Sequence, residues 1–228
     1  MPISRLHEIV AALPYLFETG MTFSLTLTAL AAALGLMLGT LLALCRLSKS
    51  RLLSLPATLY VNGMRSVPLL LVIFWFYFLA PYIGAWIEHS PTPVQIGAYR
   101  SAVITFSLFE SAYFCEIMRA GIASISRGQT HAALALGLTA RQTMIMVVLP
   151  QALRNMTPAL LTRVITLFQD TSLVYVLSMT DFFGAANDVA SRDGSIVQMY
   201  LLAAVVYFAI CFTASNFVKS FGTARHAH

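Results

Sequence analysis

The stretch TGMTFSLTLTALAAALGLMLGTLLALC, residues 19–45, contains 27 consecutive residues without a charge. About 20 apolar residues in a helix are enough to cross the roughly 30 Å hydrocarbon core of a bilayer. Because lipid offers no hydrogen-bond partners, the backbone of a spanning segment must bond internally. The stretch therefore predicts a transmembrane helix and places the chain among integral membrane proteins.

Four further windows extend this pattern along the chain. Two of them run for 22 and 25 residues without a charge, and the windows 101–118 and 155–180 are each interrupted by two charged residues. We predict an all-α integral membrane protein in which residues 1–228 form a single domain with five transmembrane helices. The approximate spans are 19–45, 66–87, 101–122, 155–180 and 194–218.

The composition supports the same class. Of the 228 residues, 58% are hydrophobic and 10% are charged, whereas soluble domains have about 45–50% apolar and about 25% charged residues. This balance excludes an ordinary soluble enzyme and a disordered chain. The three cysteines and five histidines show no metal-ligand spacing, so we predict no metal site.

The distribution of charge predicts the orientation in the membrane. The loops on one side carry ten basic and no acidic residues, and those on the other side carry three basic and six acidic residues. Cytoplasmic loops are enriched in Lys and Arg. We therefore expect the amino terminus outside and the carboxyl terminus inside the cell. This bias accounts for the net charge of +5, so the charge gives no reason to expect nucleic acid as a partner.

The segment between the third and fourth spans is longer than a usual helix connection. Residues 126–150 read SRGQTHAALALGLTARQTMIMVVLP. This pattern predicts a short helix that ends near Gly137, followed by a second amphipathic stretch that is stopped by Pro150. The segment is either an amphipathic helix on the membrane surface or a docking element for a soluble partner.

The same segment resembles the signature loop of binding-protein-dependent ABC permeases. The resemblance rests on Ala132, Ala133, Gly137, Leu149 and Pro150. It implies a permease fold of the type I ABC importer kind, with a cytoplasmic coupling helix that sits in a groove of the ATPase subunit. Gln129 and His131 belong to the same loop, and the family usually has Glu where this chain has His131.

Three other stretches resemble the polar amino-acid importers within that family. They are Arg65-Ser-Val-Pro-Leu, the run from Glu110 to Gly121, and Gln169-Asp-Thr-Ser-Leu173. Glutamate/aspartate permeases of Gram-negative bacteria are the most similar group. The resemblance implies a bacterial inner-membrane subunit that pairs with a second permease, either a homologous chain or a copy of itself. It also implies a cytoplasmic ATPase dimer and a periplasmic amino-acid-binding protein as partners.

The chain itself lacks the phosphate-binding loop of an ATPase. No Gly-x-x-x-x-Gly-Lys-Ser/Thr pattern is present, and the only lysines are Lys49 and Lys219. We therefore expect a subunit that is not an enzyme and holds no cofactor, with ATP bound by the partner.

Charged residues inside the predicted spans are candidates for a substrate path, because an ionised group in lipid is costly. Arg163 and Asp170 are seven residues apart, about 10 Å along one helix face, so we expect no direct contact between them. An arginine at position 163 could hold a substrate carboxylate or neutralise Asp170 or Glu110. The candidate path residues are Glu110, Arg163, Asp170, Thr171 and Ser172.

Glu116 and Arg119 have a different interpretation. Their i, i+3 spacing places them on one helix face, and we predict a structural ion pair between them near the inner end of the third span.

The combined prediction is import of a polar, acidic amino acid, glutamate or aspartate, through the inner membrane. One alternative is another polar amino acid of the glutamine, histidine or arginine type. A second alternative is a proton-coupled carrier that uses Glu110, Glu116 and Asp170 as a relay. The expected contacts are the amino-acid substrate, membrane lipid and the partner subunits.

Overall fold

A computed structural model describes residues 10–223, in which the chain is almost entirely helical. The two termini, whose sides of the membrane the charge pattern predicts, lie outside the described residues. The helices in chain order are α1 (Val10–Leu47), α2 (Arg51–Arg65), α3 (Leu69–Ile87), α4 (Ala98–Ala123), α5 (Arg127–Ala135), α6 (Ala140–Leu177), α7 (Phe182–Asp193) and α8 (Ile196–Thr223).

The prediction of five membrane spans is confirmed. Within residues 10–223, five helices are long and apolar enough to cross a membrane, namely α1, α3, α4, α6 and α8. The windows 19–45 and 155–180 are too short, since α1 and α6 each contain 38 residues. A charge marks where a helix leaves the hydrocarbon core, but it does not end the helix. Both helices are therefore about 57 Å long and extend beyond the bilayer.

The predicted helix stop at Pro150 is wrong. Helix α6 continues through this residue, and a π-helical segment, Thr143–Val148, lies immediately before it. A proline in an α-helix lacks one donor and its ring clashes with the carbonyl four residues earlier. The wider π-helical turn changes the hydrogen-bonding pattern around Met146, where that clash would occur. The region 140–150 is therefore the start of the fourth spanning helix.

Helix α4 is the central helix of the bundle. About two thirds of its membrane window is buried (67%), against 17% for α3 and for α8. Helix α1 lies across it at two glycines. A Cβ atom at Gly35 would lie 3.0 Å from the Cβ of Glu110, and one at Gly39 would lie 2.9 Å from the Cβ of Phe114. Such contacts leave no space for a side chain, so the small residues allow the two backbones to approach closely.

Helix α7 closes the end of the bundle that the charge pattern places outside. Its first residue is preceded by Asp181, whose carboxylate accepts hydrogen bonds from the amides of Phe183 and Gly184, each at 3.0 Å. The amide of Phe182 donates to the hydroxyl of Ser24 in α1 at 3.0 Å. Asp181 is fully buried, and burial raises the pKa of its carboxyl to about 6.

Helices α5 and α6 are joined by a tight hairpin with a defined cap on each side. Gly137 has φ of +84°, and the amides of Gly137 and Leu138 donate to the carbonyls of Leu134 and Ala133. This is the bonding pattern that ends a helix at a left-handed glycine. Thr139 and Gln142 then form a capping box that starts α6. The helix end predicted near Gly137 is observed.

We predict that Gly39→Ala weakens the bundle. The added Cβ must displace Phe114 or the backbone of Ser111, and overpacking of this kind costs about 1–3 kcal/mol. Gly63→Ala in α2 is the matched control, because nothing lies within 4 Å of a Cβ at that position. The midpoint of thermal unfolding in detergent should fall for Gly39→Ala and stay level or rise for Gly63→Ala. Equal midpoints would contradict the close α1–α4 contact.

Candidate functional site

The interior of the bundle holds an ion pair between α4 and α6. Arg163 donates from Nε to Oε2 of Glu110 at 2.8 Å and from Nη2 to Oε1 at 2.5 Å. The Glu110 side chain is fully buried, and that of Arg163 is 14% exposed. A bidentate pair of this kind fixes both the position and the plane of the guanidinium. Of the roles open to Arg163, neutralisation of Glu110 is therefore observed.

Two further groups surround the same guanidinium. Nη2 of Arg163 lies 3.7 Å from Oδ2 of Asp170, so the expectation of no direct contact was wrong. The reason is the length of the arginine side chain, which covers most of the separation between the two backbone positions. Cζ of Arg163 lies 3.9 Å from the centre of the Tyr113 ring, a cation–π contact that covers one face of the guanidinium.

These groups open into a cavity of about 410 Å³. Its wall includes the whole stretch from Arg65 to Leu69, together with Phe109 and Tyr113 of α4 and Arg163, Thr166 and Asp170 of α6. The three stretches that resemble polar amino-acid importers are far apart in the sequence. The fold brings part of each to this one cavity.

Thr171 and Ser172, predicted for the same path, do not line this cavity. The Thr171 hydroxyl is buried and donates to the carbonyl of Phe168, and the Ser172 hydroxyl donates to the carbonyl of Gln169. Glu110 also lies behind Arg163 and is not part of the cavity wall. Of the five candidate path residues, Arg163 and Asp170 are the two that line the cavity.

Glu116 lies in a second charged cluster. The structure brings it into an ion pair with Arg119, and it also accepts from Nη1 of Arg46 at 2.6 Å. Arg65 approaches the same carboxylate at 3.6 Å. Among the described residues, these arginines connect the end of α1, the end of α2 and the last turns of α4 through one carboxylate. The i, i+3 spacing indicated Arg119 alone.

Arg65 and Tyr113 are the site residues that reasoning from the sequence missed. Cζ of Arg65 lies 5.6 Å from the centre of the Tyr113 ring, the same ring that Arg163 contacts. Both residues occur in the stretches quoted above for their resemblance to amino-acid importers. That resemblance was the available signal. Arg65 is also one of the ten basic residues in the loops predicted to be cytoplasmic, so its charge did not distinguish it as a site residue.

The segment 126–150, predicted to contain the coupling helix and called the coupling segment below, presents an exposed surface. Gln129, His131 and Ala132 are exposed on α5, whereas Ala133 is buried against the rest of the hairpin. Gly137 is exposed at the hairpin turn. Leu149 and Pro150 lie farther along, within the continuous helix α6. The residues that carry the resemblance therefore lie on a short exposed helix, at its turn and in the first turns of a spanning helix.

The described part of the chain contains no group of three His, Cys, Asp or Glu side chains placed to hold a metal ion. The polar chemistry of the interior is instead that of arginine and carboxylate pairs.

We predict strong coupling between Glu110 and Arg163 in a double-mutant cycle. Glu110→Gln or Arg163→Gln leaves a buried charge without its main partner, which costs roughly 3–5 kcal/mol. The double variant replaces the pair with two neutral amides and should lose much less than the sum. Thermal unfolding in detergent measures each value. Arg192→Gln, which removes the exposed pair with Asp193, should leave stability unchanged. Additive losses at 110 and 163 would contradict the pairing.

Comparison with known proteins identifies the family. Residues 35–224 match the model of the binding-protein-dependent transport system inner membrane component. The chain is 49% identical over 214 residues to the glutamate/aspartate import permease protein GltK of Escherichia coli O157:H7, which covers 93% of this chain and 94% of that protein. It is 35% identical over 219 residues to the probable amino-acid ABC transporter permease protein YckA of Bacillus subtilis, with coverage of 96% and 92%.

A solved structure shows the same architecture. The crystal structure of an amino acid ABC transporter with histidines contains a chain that is 30% identical to this one, with a TM-score of 0.84 and coverage of 93% of this chain and 95% of that chain. The resemblance to ABC importer permeases is thereby confirmed. The chain belongs to the family of binding-protein-dependent transport system inner membrane components, as a multi-pass permease of the polar amino-acid importer group.

Proposed function

We propose that this chain forms half of the path by which an acidic amino acid, glutamate or aspartate, crosses the bacterial inner membrane. The observation that carries the proposal is the cavity lined by Asp170 and by Arg65 and Arg163, which both contact the Tyr113 ring. The relationship to GltK, named for glutamate/aspartate import, supports the same substrate class.

The charges of the cavity match those of the substrate. Glutamate and aspartate each carry two carboxylates and one ammonium group. The cavity wall provides the carboxylate of Asp170 and the guanidinium groups of Arg65 and Arg163, each of which also lies near a glutamate of α4. Nη1 of Arg163 makes no hydrogen bond within the described residues, since Glu110 occupies Nε and Nη2. This nitrogen can donate to a substrate carboxylate while Glu110 holds the guanidinium in place.

The alternatives have less support from the geometry. A cationic substrate of the arginine or histidine type would meet Arg65 and Arg163 beside the single carboxylate of Asp170. Glutamine lacks the second carboxylate that the second arginine could bind. A proton relay through Glu110 and Glu116 would require carboxylates that accept protons, but each is bonded to arginine.

The charged cavity also supports pairing with a second permease subunit, either a homologous chain or a copy of this one. Arg163 and Asp170 remain 14% and 28% exposed in a spanning helix. Exposure of such groups to lipid is costly, so this face must be covered by protein or water. A second subunit placed against it would close the path.

The coupling segment supports the remaining partners. With the amino terminus in the periplasm and the carboxyl terminus in the cytoplasm, α5 and its exposed residues face the cytoplasm, where an ATPase dimer would bind them. A periplasmic amino-acid-binding protein would deliver substrate to the opposite face. The chain itself would be one domain without cofactor that changes between two states according to whether its partners hold ATP.

Uptake into proteoliposomes that contain the whole complex and its binding protein tests the substrate class. We expect ATP-dependent uptake of labelled glutamate that unlabelled aspartate suppresses and that arginine, histidine and glutamine leave unchanged. The variant Glu110→Gln/Arg163→Gln replaces the buried ion pair with two neutral amides and should fold. Its glutamate uptake should nevertheless fall at least tenfold, because a charged donor to a carboxylate contributes about 1.5–3 kcal/mol. Undiminished uptake by this variant would remove Arg163 from the path.

Co-purification of the ATPase tests the coupling segment. Ala132→Trp adds a large side chain to an exposed position of α5 and should abolish ATPase binding without lowering the thermal stability of the membrane subunits. Ser191→Trp, at an exposed position of α7, is the control and should retain the ATPase. Retention of the ATPase by Ala132→Trp would show that this surface is not the docking site.

A further inference from the structure

A second cavity lies on another side of the bundle, between α1, α2 and α4. Its volume is about 210 Å³. Leu38, Leu41, Leu42 and Cys45 line it from one face of α1, Tyr60 lines it from α2, and Leu108 and Ser111 line it from α4. The spacing of the α1 residues follows successive turns of a helix, so the cavity runs along the last two turns before α1 ends.

The polar groups in this wall are already satisfied. The Tyr60 hydroxyl donates to the carbonyl of Leu108 at 2.9 Å, and the Ser111 hydroxyl donates to the same carbonyl at 2.6 Å. The two hydroxyls lie 3.2 Å apart. The two hydroxyls of the wall therefore need no polar ligand, and the Cys45 thiol is only a weak donor. The remaining surface is apolar, which suits a hydrocarbon occupant.

Two cations lie at the corner where α1 and α2 meet, a few residues after Cys45 of the cavity wall. Lys49 lies in the connection 48–50, and Arg51 is the first residue of α2. In the part of the chain that the structure describes, neither side chain forms an ion pair with a carboxylate. The neighbouring Arg46 is different, since Glu116 neutralises it. The corner therefore combines an open hydrocarbon cavity with two uncompensated positive charges.

We propose that this corner is a binding site for an anionic phospholipid of the bilayer. One acyl chain fills the cavity between α1, α2 and α4, and the phosphate lies against Lys49 and Arg51. Basic residues directly beside the cytoplasmic end of a spanning helix attract anionic headgroups, and the charge pattern predicts that this end of α1 is cytoplasmic. An apolar cavity beside that end can receive part of an acyl chain. The proposal concerns a face of the chain that the proposed transport function does not use.

The surroundings favour a lipid over a protein occupant. Next to the cavity, α2 exposes Leu52, Leu55 and Leu59, with 84%, 59% and 65% of each residue accessible. Such a row of exposed leucines suits contact with acyl chains. The face that must be covered by protein or water is the one that opens at Arg163 and Asp170, and it involves different residues.

Native mass spectrometry of the whole complex tests the site. The complex is reconstituted in nanodiscs of phosphatidylglycerol and phosphatidylethanolamine, released, and titrated with phosphatidylglycerol. Lys49→Gln/Arg51→Gln should weaken phosphatidylglycerol binding about 30-fold, since each cation near the membrane surface contributes about fivefold to the attraction of an anionic lipid. Cys45→Phe fills the cavity and should also remove the tightly bound lipid. Thermal unfolding and subunit content are measured for every variant to confirm folding.

Arg154→Gln is the matched control, because Arg154 is another exposed cation of this chain that lies outside the cavity wall. It should retain the lipid. Equal loss in Arg154→Gln would reduce the effect to general surface charge and overturn the proposal. Retention of the lipid by either the corner variant or Cys45→Phe would overturn it as well. Loss of the second permease subunit from Cys45→Phe, with lipid retained, would identify the cavity as a protein interface instead.

Discussion

The ion pair between Glu110 and Arg163 is the constraint on which the arrangement of the bundle depends. A fully buried carboxylate in a membrane protein requires a partner, and the guanidinium of α6 supplies two hydrogen bonds to it. Gly35 lies directly over the Glu110 side chain, and its lack of a side chain permits α1 to pack closely against this part of α4. The central helix is thereby held on one side by close packing against α1 and on the other by charge against α6.

This arrangement also determines what the cavity can offer a substrate. Because Glu110 occupies one edge of the guanidinium and Tyr113 covers a face, the orientation of Arg163 is fixed before any ligand arrives. Asp170 lies close enough to Arg163 to form an ion pair with the same guanidinium, but it remains partly exposed. A preorganised cation beside an accessible carboxylate suits a ligand that carries both signs of charge, as every amino acid does.

Helix α6 links this cavity to the hairpin at its other end. It runs without interruption from Ala140, directly after the capping box, to the turn that follows Asp170. A displacement of the α5–α6 hairpin by a partner would therefore be carried to Arg163 along a single element. The π-helical segment before Pro150 lies between the two regions and is the place at which the helix departs from regular geometry.

The sequence by itself determined the class of the protein, the number of spans and the family, because long uncharged windows and motif spacing are local properties of the chain. It could not determine the ends of α1 and α6, since neither a charge nor a proline is sufficient to end a helix whose neighbours continue to support it. Only the tertiary structure brought Arg65 and Arg163 to the same cavity and the same tyrosine ring, and left Thr171 outside the cavity wall. Those relations depend on how helices distant in the sequence pack together, and a spacing along one helix contains no information about the residues that a neighbouring helix brings against it.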